Sequence, residues 1–127
     1  MAFYRNYESK EDIFKKHLQE IFAEYREEEE SEPQEGIYYD RAHMIHYFTY
    51  HYKYREFMAG LVRCGFGTMF LEMLNEYILK KWKKSADTYT LIAFSGAIYN
   101  LFNQWAAEGY AEKKEKLAER VERMFQK

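Results

Sequence analysis

The chain's chemistry is most concentrated between residues 39 and 54, where Tyr39, His43, His46, Tyr47, Tyr50 and Tyr54 recur at mostly three- and four-residue spacing. On a helix that spacing gathers phenols and imidazoles along one side, each ring apolar in its body and polar at its tip. Two readings stand open at this point. Either the stripe lines a ligand pocket, or it is core whose polar tips reach the surface or hydrogen-bond to one another. Asp40, His43 and His46 also stand three residues apart, which puts candidate metal ligands on one helix face. A single helix supplies too few donors for a site, and the Glu-x-x-His pairs of a carboxylate-bridged metal bundle occur nowhere in the chain. No metal and no cofactor is expected. A small helical metal-binding enzyme built on His43, His46 and nearby acids is the weakest of the readings.

Cys64 is the only cysteine, so an intrachain disulfide and a cysteine-based zinc site are excluded, and no base stands near it in sequence to make a nucleophile. Neither a glycine-rich phosphate loop nor a Gly-x-Ser-x-Gly elbow is present, and catalysis is not expected. Lys and Arg number 19 against 21 Asp and Glu, a formal net charge of -2, so no global positive field exists to hold nucleic acid or an anionic membrane. The lone thiol and the absence of any apolar run of signal-peptide or membrane-spanning length predict a cytoplasmic protein.

The elements that must position the aromatic stripe are helical. With 13 Tyr and 10 Phe the interior is aromatic rather than aliphatic, and 6 Gly with 1 Pro argue against a turn-rich β fold. An all-α domain is predicted. Ser9 begins a capping-box-like Ser-Lys-Glu-Asp string, and the stripe Ile13, Phe14, His17, Leu18, Ile21, Phe22 and Tyr25 follows. The acidic run Glu27 to Glu30 opposes the helix dipole, so fraying is expected before Pro33, with a loop to Gly36. A central helix is predicted from Ile37 to about Lys53, continuing helically from Arg55 to Cys64. Gly65 and Gly67 mark a stop and a new start.

A helix over Thr68 to Lys84 and a second, capped by Ser85 or Asp87 and ending at Gly109, complete the middle of the chain. The second carries a bulky face (Leu91, Phe94, Ile98, Leu101, Phe102, Trp105) and a small one (Ala93, Gly96, Ala97, Asn100, Gln104) that admits close approach of another helix. A last amphipathic segment, Glu112 to Gln126, places Leu117, Val121, Met124 and Phe125 on one stripe.

The string Phe3-Tyr4-Arg5-Asn6-Tyr7-Glu8-Ser9-Lys10-Glu11-Asp12-Ile13-Phe14 resembles the junction between recognition helix and connecting helix in TetR-family transcriptional regulators. Phe94-Ser95-Gly96-Ala97-Ile98-Tyr99, followed by Gln104-Trp105 and Gly109, is similar to the regulatory domains of that family common in Firmicutes. The resemblance implies a ligand-binding helical domain of about six helices whose last two form a four-helix bundle with a second copy. Residues 1–8 would be a remnant of the recognition helix and turn, and residues 9–127 the regulatory domain. Tyr4 and Lys10 match phosphate-contacting positions. Most of the helix-turn-helix is missing, so the expectation is a piece of a longer regulator, with a free-standing regulatory domain as the alternative.

Taken together, these features predict the effector-binding and dimerisation domain of a TetR-like regulator, a repressor rather than an enzyme. A small apolar or aromatic effector would lie among Tyr39, His43, Tyr47, Tyr50, Met73, Phe94 and Ile98. The homodimer seam would comprise Ala93, Gly96, Ala97, Asn100, Leu117, Val121, Met124 and Phe125, and operator DNA would be bound only in a longer form. The rival is a free-standing helical protein-interaction domain. No membrane partner is expected.

Overall fold

A computed structural model describes residues 9–31 and 36–126, and among them six α-helices and no strand are found. Residues 1–8, Tyr4 with them, lie outside the described residues. The first helix, α1, is Lys10–Ser31. Ser9 caps it, its hydroxyl accepting the Asp12 backbone N–H at 3.1 Å, with Glu11 and Asp12 in the first turn where the dipole favours them. The acidic run does not end the helix early. Glu28 and Glu29 face His46 on the next helix, and Glu29 also faces Lys81, so cations from neighbouring elements offset the unfavourable dipole.

The central helix α2 spans Arg41–Lys53, starting four residues later than the sequence pattern suggests. Asp40 decides the start: its carboxylate accepts the His43 backbone N–H at 2.9 Å and reaches back to the Ile37 N–H at 3.1 Å. Ile37 to Tyr39 therefore form a turn. Gly36 opens that turn at φ +126, and a Cβ there would collide with the Asp40 carboxylate. The helix does not continue unbroken past Lys53 either. Tyr54 leaves helical geometry at φ -106, ψ 25, and a separate helix α3, Arg55–Arg63, begins after it.

Helix α3 closes with Gly65 at φ +84, whose N–H binds the Val62 carbonyl while the Phe66 N–H reaches Leu61 at 2.9 Å. Helix α4, Gly67–Trp82, follows at once. Asp87 caps α5, Thr88–Ala107, accepting the Thr90 N–H at 2.7 Å. Its far end repeats the α3 device: Gly109 at φ +68 donates to Ala106, and Tyr110 donates to Trp105 at 2.8 Å. The Tyr110 and Trp105 rings then meet edge to face at 5.0 Å. The last helix, α6, is Lys114–Phe125.

Packing is dominated by α4 along α5 and by α6 along α2, while α1 meets α4 over a narrower contact. Of the bulky face of α5, Leu91, Phe94, Ile98, Phe102 and Trp105 are buried as expected, together with Ser95, while Leu101 is half-buried. On α6, Leu117, Ala118 and Val121 are buried within the chain itself, and Phe125 lies 5.2 Å from Phe94. Only Met124 of that stripe stands exposed. Burying α6 on α2 satisfies the helix's apolar face within one copy, since a 12-residue helix is marginal without such support.

Candidate functional site

The aromatic stripe packs into the interior, where the tips of Tyr47, Tyr50 and Tyr54 find acceptors while His43 Nε2 is buried without a partner. The Tyr47 hydroxyl donates to the Ile98 carbonyl at 3.4 Å, and the Tyr50 hydroxyl to the Ile21 carbonyl at 2.8 Å. Tyr54 donates to Glu24 at 2.6 Å. His43 is buried with Nδ1 2.7 Å from Asp40, its ring 5.1 Å from Trp82, while Tyr39 is half-buried against Tyr38. Phe94 and Ile98 are fully buried. Tyr39, His43, Tyr47, Tyr50, Phe94 and Ile98 are thus packed as core rather than around a pocket. Helix carbonyls keep a second lone pair free, and this supplied the acceptors that the sequence alone did not reveal.

Of the seven residues expected in a pocket, only Met73 borders the cleft found between α1 and α4. This opening measures about 500 Å³. Phe22, Met73 and Tyr77 give it an apolar floor, Gln19, Arg26 and Glu30 line the α1 side, and Glu76 and Lys80 line the α4 side. Glu29 and Lys81 close one end.

That end is electrostatically distinct. Glu29 is only 3 % exposed, yet its Oε2 accepts no hydrogen bond. It lies 3.6 Å from His46 Nδ1 and 3.7 Å from Lys81 Nζ. Burial pushes the Glu29 carboxyl up, but the facing His46 and Lys81 outweigh it and hold it below the usual range. His46 presents Nε2 to Glu28 at 2.9 Å and Nδ1 to Glu29, and its ring stacks on Tyr25 at 4.8 Å. The two carboxylates, Glu29 first, raise its pKa against the opposing effect of burial. Lys81 Nζ also stands 3.3 Å from the Tyr77 hydroxyl and over the Tyr77 and Trp82 rings at 5.7 and 5.3 Å.

Behind Phe22 lies a second unusual group. His51 is fully buried and neither ring nitrogen has a hydrogen-bond partner. Its ring lies 4.6–6.3 Å from those of Tyr47, Phe70, Tyr25, Tyr50, Phe22 and Phe102. Burial, and then the charge of His46, depress its pKa to about 3.

Sequence reading missed Glu29, Lys81 and His51. The signal for Glu29 was present: it continues the stripe Leu18, Ile21, Phe22, Tyr25 by one more helical step. His51 likewise stands one step beyond Tyr47 on the buried side of α2. Lys81 in turn stands one step beyond Tyr77, among the lysines that end α4.

The small-residue face of α5 is bare in the single chain. Ala93 and Asn100 are exposed, Gly96 and Ala97 half-buried, and a Cβ on Gly96 would meet nothing within 4 Å. Tyr89, on the same side one turn earlier, is 88 % exposed. Lys10 is exposed at the start of α1. Cys64 is half-buried. Among the described residues no group of three or more His, Cys, Asp or Glu is placed to hold a metal ion: His43 turns to Asp40, His46 to α1. None of the helices there is long and apolar enough to cross a membrane.

Compared with family models, with curated proteins and with solved structures, the chain matches none.

Proposed function

We propose that the chain is the effector-binding and dimerising region of a TetR-like transcriptional repressor, and that it works by allostery rather than catalysis. The observation that carries the reading is the position of the cleft: α1, the helix led by the Ser9 cap, forms one of its two walls. A ligand seated between α1 and α4 changes the angle between them. Over its 22 residues α1 is a lever about 33 Å long, and a tilt of about 5° moves its N-terminus by about 3 Å. In a two-fold dimer that displacement changes the separation of two DNA-reading heads joined to α1, which is enough to lose register with successive major grooves. The open face Ala93, Gly96, Ala97 and Asn100 supports the dimer, and Met124 is the exposed member of the α6 part of the proposed seam. The effector class supported by the floor Phe22, Met73 and Tyr77 is a small molecule with an apolar or aromatic body.

Spin labels at residue 10 test both halves of the reading, in a chain carrying Lys10→Cys and Cys64→Ser. Light scattering should give twice the monomer mass at micromolar concentration. A compound that raises the melting temperature should alter the distance between the two labels. A monomer removes the dimer, and an unchanged distance under saturating ligand removes the allosteric mechanism.

A further inference from the structure

The ammonium of Lys81 sits in surroundings of the kind that bind free organic cations. A buried carboxylate lies 3.7 Å away, a phenol oxygen 3.3 Å away, and the faces of Tyr77 and Trp82 lie within 6 Å. Yet Lys81 is a poor permanent occupant. Its nitrogen is too far from Glu29 for a hydrogen bond, and its side chain, 23 % exposed, has a path to solvent along a flexible four-carbon stem. Glu29 is left buried with an oxygen that nothing donates to. The rest of the cleft does not choose a sign, because Arg26 and Lys80 balance Glu30 and Glu76. The buried end chooses it once Lys81 is displaced, because the Glu29 carboxylate then keeps His46 at 3.6 Å and loses the ammonium it faced at 3.7 Å.

We propose that this end of the α1–α4 cleft is an ammonium-binding site in which Lys81 stands in for the ligand, and that the effector is an organic ammonium with a flat apolar body. The inference rests on the reading of the cleft as the effector site. The body lies over Phe22, Met73 and Tyr77, the ammonium donates to Glu29 Oε2, and Lys81 swings out to water. The lysine then acts as a tethered competitor that sets the concentration at which effector is felt: removing an occupant present for about nine-tenths of the time raises apparent affinity about tenfold.

The test uses the full chain and three probes that share a ring system: naphthylmethylammonium, naphthylmethanol and naphthoate, titrated by calorimetry at physiological salt. The wild type should prefer the ammonium. Lys81→Ala should tighten the ammonium about tenfold and leave naphthylmethanol within about twofold. Lys84→Ala makes the same charge change at an exposed lysine just past α4, outside the cleft lining, and should change ammonium affinity by no more than about twofold, since exposed charges are screened. Glu29→Gln should abolish the preference for ammonium over alcohol; if that variant fails to fold, the comparison of the two lysine variants decides alone. Equal tightening by both lysine substitutions, no tightening by either, or a preference for naphthoate overturns the proposal. Met73→Trp, which fills the cleft floor, separates the two levels of failure. Naphthylmethanol or naphthoate binding that Met73→Trp blocks would overturn the ammonium and leave the effector cleft standing, whereas no probe binding that it blocks would overturn both.

Discussion

His51 gives the sharpest quantitative expectation. Its imidazole is fully buried among six aromatic rings with both nitrogens unbonded, and its pKa in the folded chain is depressed to about 3 from an ordinary 6.5. As pH falls below 6.5 the unfolded chain takes up a proton that the folded chain refuses, so stability is lost from pH 6.5 down to about 3, and none is lost above. At pH 5 the loss amounts to about 2 kcal/mol, a figure set by the distance to the unfolded pKa and insensitive to the folded value. His46 works in the opposite sense. Its pKa is raised, so its contribution is present below the unfolded value and fades as pH climbs through the folded one. The two overlap in the wild type, and a difference between proteins is required.

His51→Leu supplies it, leaving His46 and the carboxylates in place. At pH 7.5 the variant should lie within about 1 kcal/mol of the wild type, because lost ring contacts are offset by removal of two unsatisfied polar atoms. At pH 5 it should have gained about 2 kcal/mol relative to the wild type. Urea unfolding at fixed protein concentration across that range measures both numbers. Parallel pH dependences for the two chains would mean that His51 is hydrated or hydrogen-bonded in the folded state, and the aromatic enclosure would be wrong.

Other substitutions probe the remaining elements. A Cβ on Gly96 meets nothing within 4 Å, so Gly96→Arg should leave the helical circular dichroism intact while light scattering falls to the monomer mass; loss of folding instead would contradict the open face of α5. Tyr47→Ala should lower unfolding free energy by about 3–5 kcal/mol, the range for a large ring removed from a core, whereas a small effect with loss of ligand binding would restore the pocket reading of the stripe. Asp40→Ala removes the α2 cap and the acceptor of the Ile37 N–H, and should cost about 1–2 kcal/mol at neutral pH. Donors from His43 and Ile37 overcome burial to hold that carboxyl below its ordinary range, so the deficit of Asp40→Ala should shrink as pH falls through it, which urea melts at low pH would follow.

What the sequence made legible follows from which signals are local. Helix caps and stops are local: Ser9, Asp87, Gly65 and Gly109 each act on their own backbone, and each does in the structure what its residue type implies. The start of α2 was misplaced because Ile37, Tyr38 and Tyr39 are as apolar as a helix face, while the decisive competitor, Asp40, takes both the turn and the cap. Whether the aromatic stripe was pocket or core could not be read locally at all. It depended on carbonyls of Ile21 and Ile98, residues 29 and 51 positions away from the tyrosines they bind. The candidate cleft was hidden for the same reason. Glu29 and Lys81 sit in stretches that read as solvated charge runs, and only the packing of α1 beside α4 turns one member of each run inward. A charge run adjoining an apolar stripe is therefore the place to look for a buried ionic site: the residue that continues the stripe, here Glu29, is carried inside by the helix whatever its charge, and must then recruit cations from the elements it meets.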